Sequence, residues 1–216
     1  MSEIALQTFN LARSGKQGCL FCDPFPIMHV NNTENFNLLA DTFPVISGHL
    51  MISSKEHYGC AGELPEELQV ELIKMKNSIA ATIRKNGNQV IFYEHGRAGC
   101  CLANNPDGSK CEHFHLHVLP VAVDITQHLD QSFTKIKMKD YKEIFENYYA
   151  YGNYLFFENA LGESFFYPAA DSKVDSHLLR TLICKELNVL ERSDWQRYTE
   201  ASLWVESLEV INKLVA

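Results

Sequence analysis

The chain has 216 residues, enough to bury a core as one elaborated domain or two small ones. Its 19 Lys and Arg against 27 Asp and Glu leave a formal charge of −8, which argues against a general nucleic-acid binder. No basic-then-apolar leader opens the sequence, no apolar run could span a bilayer, and the seven irregularly spaced cysteines read as reduced or metal-bound thiols, so a cytoplasmic protein with no membrane partner is expected.

Residues 1–17 are polar and weakly periodic, and lead into Cys19-Leu20-Phe21-Cys22. A C-x-x-C pair is either a redox dithiol or half of a metal site. The redox reading needs a helix next, and Asp23-Pro24-Phe25-Pro26 breaks one. Half a zinc site is therefore favoured, with histidine as the obvious source of the other half. Residues 27–31 and 36–40 predict short strands joined by an Asn- and Thr-rich turn. A further strand is predicted over His49 to Ile52, entered by Ser47-Gly48 and left by Lys55-Glu56-His57.

Residues 62–86 predict the clearest helix. Acidic residues open it, Leu68, Leu72, Met75, Ile79 and Ile83 form an apolar stripe, and Asn86-Gly87 closes it. Residues 89–94 read as a strand, and 97–110 as a long loop rich in Gly, Asn and Asp. The loop feeds His113-Phe114-His115-Leu116-His117-Val118-Leu119-Pro120. In a strand, side chains alternate between faces, so the three histidines share one face and the apolar residues pack behind them. Such a row of imidazoles is a polar face, a mononuclear metal site, or a histidine nucleophile with supporting neighbours. Cys111 falls on the same face and is itself a candidate ligand.

Further on, a helix is expected around residues 140–149. A hairpin of 154–158 and 163–167 follows, then helices over about 175–187 and 200–214. Arg180 and Arg197 could reach an anionic ligand but read in preference as surface residues, and His128 and His177 as unremarkable.

Over residues 19–120 the order of motifs resembles the histidine triad (HIT) superfamily, in particular its zinc-bearing bacterial members. The resemblance rests on the triad strand, on Cys19-Leu20-Phe21-Cys22, on Asp41, on Gly48-His49-Leu50-Met51-Ile52 and on Lys55-Glu56-His57. It implies an α+β fold with a mainly antiparallel sheet and one long helix. The chain would divide into a HIT core at 1–124 and an α/β C-terminal extension at 125–216. Homodimers, common among the small members, are a further implication.

The resemblance also implies a nucleotide substrate cleaved at its α-phosphorus through a nucleotidyl-histidine, with His115 as nucleophile and His117 beside the phosphate or leaving group. A dinucleoside polyphosphate, a phosphoramidate or a similar conjugate would be hydrolysed; the alternatives are a nucleotidyltransferase or phosphorylase, or a non-catalytic zinc-stabilised nucleotide binder. Cys19, Cys22, His57 and His113 would hold a structural zinc, with no catalytic metal. Asp41 matches the ribose-binding acid, and His49 stands in the same nucleotide-binding stretch. Ser109 and Lys110 replace the family's usual Gln and Ser or Thr before the triad, and Glu94 its usual Asn, so these three positions are expected at the nucleotide with altered chemistry.

Overall fold

The computed structural model describes residues 3–15, 18–99, 113–170 and 173–215. Eight strands form one antiparallel sheet in the order β1-β2-β3-β5-β4-β7-β8-β6. In chain order these are β1 (His29–Asn32), β2 (Phe36–Ala40), β3 (Leu50–Ser54), β4 (Ile91–Gly96), β5 (His115–Leu119), β6 (Ile136–Met138), β7 (Tyr154–Glu158) and β8 (Ser164–Pro168). The helices are α1 (Glu3–Arg13), α2 (Glu66–Lys85), α3 (Thr126–Leu129), α4 (Glu143–Tyr151), α5 (Leu178–Glu186) and α6 (Ala201–Val215). The expected α+β class, antiparallel sheet and long helix are all present.

Strand parity divides the core in two. On one face Phe92, Leu116, Val118, Phe156 and Phe166 pack with Leu72, Ile79 and Ile83 of α2 and Trp204 of α6. On the other, Ile91, Tyr93, Leu119, Phe157 and Tyr167 pack with Leu179 and Ile183 of α5. The α2 stripe is buried from Leu72 onward, while Leu68 is only partly covered. Lys76 of α2 is buried as well, its Nζ 2.7 Å from Glu158 Oε2 on β7. That pairing supplies the charge compensation a buried ammonium requires.

The 154–168 hairpin joins the sheet edge to edge: β7 pairs with β4 from Phe92↔Glu158 to Gly96↔Tyr154. Its aromatic residues therefore extend the same core. At the amino end, where the sequence is only weakly periodic, α1 forms from Glu3 to Arg13 and buries Ala5, Thr8, Phe9 and Ala12. Trp204 Nε1 on α6 donates to the Ala5 carbonyl at 3.0 Å.

The loop between β2 and β3 is held by the far end of the chain. Three successive carbonyls accept from three side chains: Phe43 O from Arg180 Nη2 (2.6 Å), Pro44 O from Tyr198 Oη (2.8 Å) and Val45 O from Arg192 Nη1 (2.9 Å). Gly48 N–H donates to Ser207 Oγ at 2.9 Å. Gly48 has φ +85°, and a Cβ there would lie 3.1 Å from Pro120 and 3.3 Å from Val210, so both backbone and space call for glycine. Buried carbonyls must find donors, and here the chain beyond residue 170 supplies them.

Candidate active site

His115 and His117 project from β5 on the α5 side of the sheet, as the alternation requires. Met51 pairs with His117 in register across β3, and Tyr93 does so across β4. The Tyr93 ring stacks on His117, with centroids 4.2 Å apart and planes 9° apart. Both imidazoles line a cavity of about 380 Å³. Its floor is Tyr93, His95, His115 and His117; Leu20 and Phe21 form one wall, and Asp41, Phe43, Arg180 and Trp195 another.

His115 Nδ1 lies 2.7 Å from the His113 carbonyl. A carbonyl only accepts, so Nδ1 carries the hydrogen and Nε2 keeps its lone pair. Burial pushes this imidazole down to about 4, outweighing the His113 carbonyl, which pulls the other way. The Phe21 ring stacks on His115 at 4.4 Å and 15°.

His117 Nδ1 is 2.9 Å from His49 Nε2. His49 Nδ1 in turn meets the Val45 N–H at 3.2 Å and Asp41 Oδ2 at 3.2 Å. Burial lowers His49 to about 4 and His117 well below its usual value, so both are neutral near pH 7. The row has two self-consistent proton arrangements. If Val45 donates to Nδ1, then His49 Nε2–H donates to His117, and His117 Nε2 carries a hydrogen. If Nδ1–H donates to Asp41, then His117 Nδ1–H donates to His49, and His117 Nε2 has a free lone pair. At Nε2, His117 can thus donate a hydrogen bond in one arrangement and accept a proton in the other. Asp41, His49 and His117 are also close enough to share an ion, with ligand atoms within 4.8 Å of one another.

Asp41 is buried; its Oδ1 accepts from the Phe43 N–H at 2.7 Å, and its Oδ2 is 3.6 Å from Arg180 Nη1. Thr42 Oγ1, buried beside it on the cavity wall, has no hydrogen-bond partner among the described residues.

Cys19 Sγ and Cys22 Sγ lie 3.6 and 3.3 Å from His113 Nδ1. His113 Nε2 is 2.9 Å from the Ser54 carbonyl, to which it donates, leaving the Nδ1 lone pair towards the sulfurs. Two sulfurs and an imidazole nitrogen within 4.8 Å of one another form a donor set close enough to share a soft metal ion, with the ring oriented from behind. His57, the expected fourth ligand, has its ring 4.7 Å from that of His113 but is not part of this group of three.

Three positions correct the sequence expectations. Glu94 does not face the imidazoles: it lies between Tyr93 and His95, so alternation sends it to the α2 side. There it is buried and accepts from the Ala61 N–H at 2.8 Å. Arg180, read as a surface residue, is buried against Asp41 and Phe43. His177, read as unremarkable, lines the cavity and accepts from Trp195 Nε1 at 3.0 Å. Ser109 and Lys110, with Cys111, fall outside the described residues. His95 is an addition: Nδ1–H donates to the Ala98 carbonyl (2.8 Å), and Nε2 accepts from the Leu179 N–H that opens α5 (3.2 Å). Its place on the histidine face follows from parity with Tyr93.

A family model described as "Protein similar to CwfJ C-terminal" matches residues 17–134, more than half of the chain, and the chain belongs to that family. Three solved structures are similar to it. A Hit-like protein involved in cell-cycle regulation from Bartonella henselae is 19% identical, over 47% of this chain and 71% of that one, with a TM-score of 0.36. A hypothetical histidine triad nucleotide-binding protein from Sulfolobus tokodaii is 21% identical over 53% and 68%, TM-score 0.32. A HIT family hydrolase from Clostridium thermocellum is 20% identical over 58% and 96%, TM-score 0.32. No curated protein matches the chain. Among the described residues, no helix is long and apolar enough to cross a membrane.

Proposed function

We propose that this protein is a nucleotide hydrolase of the histidine-triad type, cleaving a dinucleoside polyphosphate, a nucleoside phosphoramidate or a similar conjugate at the α-phosphorus. The observation that carries the reading is the His115 imidazole: Nδ1 spent on the His113 carbonyl, burial keeping the ring neutral, and a cavity in front of it. The Thr42 hydroxyl beside Asp41, without a partner among the described residues, supports a polar ligand on that wall, as expected if Asp41 accepts from ribose hydroxyls.

In the first step the His115 Nε2 lone pair forms a bond to phosphorus, and the bond from phosphorus to the leaving group breaks. His117 Nε2–H donates a hydrogen bond to the departing group, which leaves with the bonding electron pair and takes any proton it needs from solvent. The His113 carbonyl stabilises the charge that develops on the His115 ring through its Nδ1–H. In the second step, with His117 in its Nδ1–H arrangement, water attacks phosphorus and gives its proton to His117 Nε2, which passes it to solvent. The N–P bond breaks, the nucleoside monophosphate leaves and His115 is restored. Splitting one displacement into two, with His117 donating a hydrogen bond in the first and accepting a proton in the second, is covalent catalysis combined with general base catalysis.

We assign Cys19, Cys22 and His113, with His57 as the fourth ligand, to a structural zinc of the zinc-bearing members. When bound it would tie the amino-terminal knuckle to the triad strand. Such a knuckle suits a reducing, cytoplasmic setting.

The test is a panel of nucleotide conjugates followed by phosphorus NMR, with acid-labile phosphorus on His115 sought by mass spectrometry. Nucleoside monophosphate is the expected product, and His115→Ala should bind nucleotide without turning it over. Full turnover by that variant would remove His115 from the mechanism.

A further inference from the structure

Beyond residue 134 the chain lies outside the family match, yet it closes one side of the cavity. Trp195 is the large side chain of that wall. Its indole N–H donates to His177 Nε2, whose ring stands at 82° to it. With the N–H occupied, the part of the ring left for a ligand is apolar. The Phe43 ring lies 5.6 Å away at 31°, two residues after Asp41. Trp195 falls between Arg192 and Tyr198, both bonded to the carbonyls of the same loop. Its position is therefore fixed relative to Asp41 by hydrogen bonds on either side.

We propose that Trp195 is a specificity-determining residue, the stacking surface for the aromatic base of the bound nucleotide, and that the site prefers a purine. The proposal rests on the nucleotide reading above. Stacking strength follows the overlapping area, so a bicyclic base gains more than a pyrimidine, and a ligand with no base gains nothing. The segment that supplies Trp195 thereby sets base preference, while β5 supplies the reacting group.

The experiment uses the full chain and three probes: adenosine monophosphate, uridine monophosphate and ribose 5-phosphate. The chain has two tryptophans, and Trp204 is fully buried, so a ligand-induced fluorescence change reports Trp195. Quenching is expected with the purine, with calorimetric affinity falling from purine to pyrimidine to ribose phosphate. Trp195→Ala should weaken adenosine monophosphate binding about tenfold and leave ribose 5-phosphate unchanged. Trp195→Phe, which keeps an aromatic face, should retain most of the affinity while losing the fluorescence signal. The subsite is overturned if saturating purine nucleotide leaves the wild-type fluorescence unchanged. It is also overturned if Trp195→Ala keeps wild-type affinity, or weakens all three probes equally. If the wild type binds none of the three by calorimetry, the nucleotide reading itself fails and the subsite falls with it.

Discussion

His49 Nε2 lies 2.9 Å from His117 Nδ1, so the state of one imidazole fixes that of the other. Removing His49 should leave His117 without its proton partner while His115 keeps its own. His49→Gln is expected to lower kcat by about 10² with little change in KM, within the usual span of acid–base contributions. The loss should be large for substrates with poor leaving groups and small for those that depart unprotonated. Steady-state kinetics across a leaving-group series reads this; a uniform loss would assign His49 to packing alone.

The Phe21 ring that stacks on His115 belongs to the knuckle between Cys19 and Cys22. If the proposed zinc is held there, its loss should therefore be felt at His115. Cys22→Ser is expected to reduce bound zinc from about one ion per chain to near none, lower the melting temperature and slow turnover. His57→Ala should do the same if it is the fourth ligand. Elemental analysis with thermal melts decides, and metal retained in His57→Ala would remove that residue from the set.

Glu94 is held at about 8 because burial penalises its charge more than the Ala61 N–H favours it. Between the ordinary carboxylate range and about 8 the folded chain binds a proton that the unfolded chain has released, so stability falls as pH rises through that window. His49 and His95, both lowered by burial to about 4, act oppositely: below 6.5 the unfolded chain takes up protons that the folded chain refuses, and stability falls as pH drops. Glu94→Gln should remove the fall between about 6.5 and 8 and steepen the loss of stability below 6.5, where the glutamate opposes the histidines. Melting temperatures from pH 5 to 9 test this.

The Lys76–Glu158 pair is buried on both sides, and Ser164 Oγ also donates to Glu158 at 2.8 Å. Lys76→Met leaves a carboxylate without its counter-charge and should cost about 3–5 kcal/mol. Adding Glu158→Gln should recover a large part of that. Urea unfolding of the single and double variants gives the comparison.

Much of the site could be read in the chain because its chemistry runs along one strand. Parity alone puts His115 and His117 on one face, and the same rule, applied to β4 once Tyr93 is paired with His117, sends Glu94 away and brings His95 in. The expectation at Glu94 followed family position instead of parity. Helix α1 had a readable signal in Ala5, Thr8, Phe9 and Ala12, spaced three and four apart, but polar neighbours diluted it. Arg180, His177 and Trp195 had none. Arg180 and Trp195 meet Phe43, more than a hundred residues distant in sequence, and His177 meets Trp195 in a later segment, contacts that no local period encodes. Ser109 and Lys110 remain expectations.

The three capped carbonyls of Phe43, Pro44 and Val45 impose an order on biosynthesis. Their donors sit at positions 180, 192 and 198, so on the ribosome the β2–β3 turn waits, unlatched, until residue 198 has emerged. A nascent chain stalled after β8 would already have every strand of its sheet, yet it would not have fastened the edge of its own cleft.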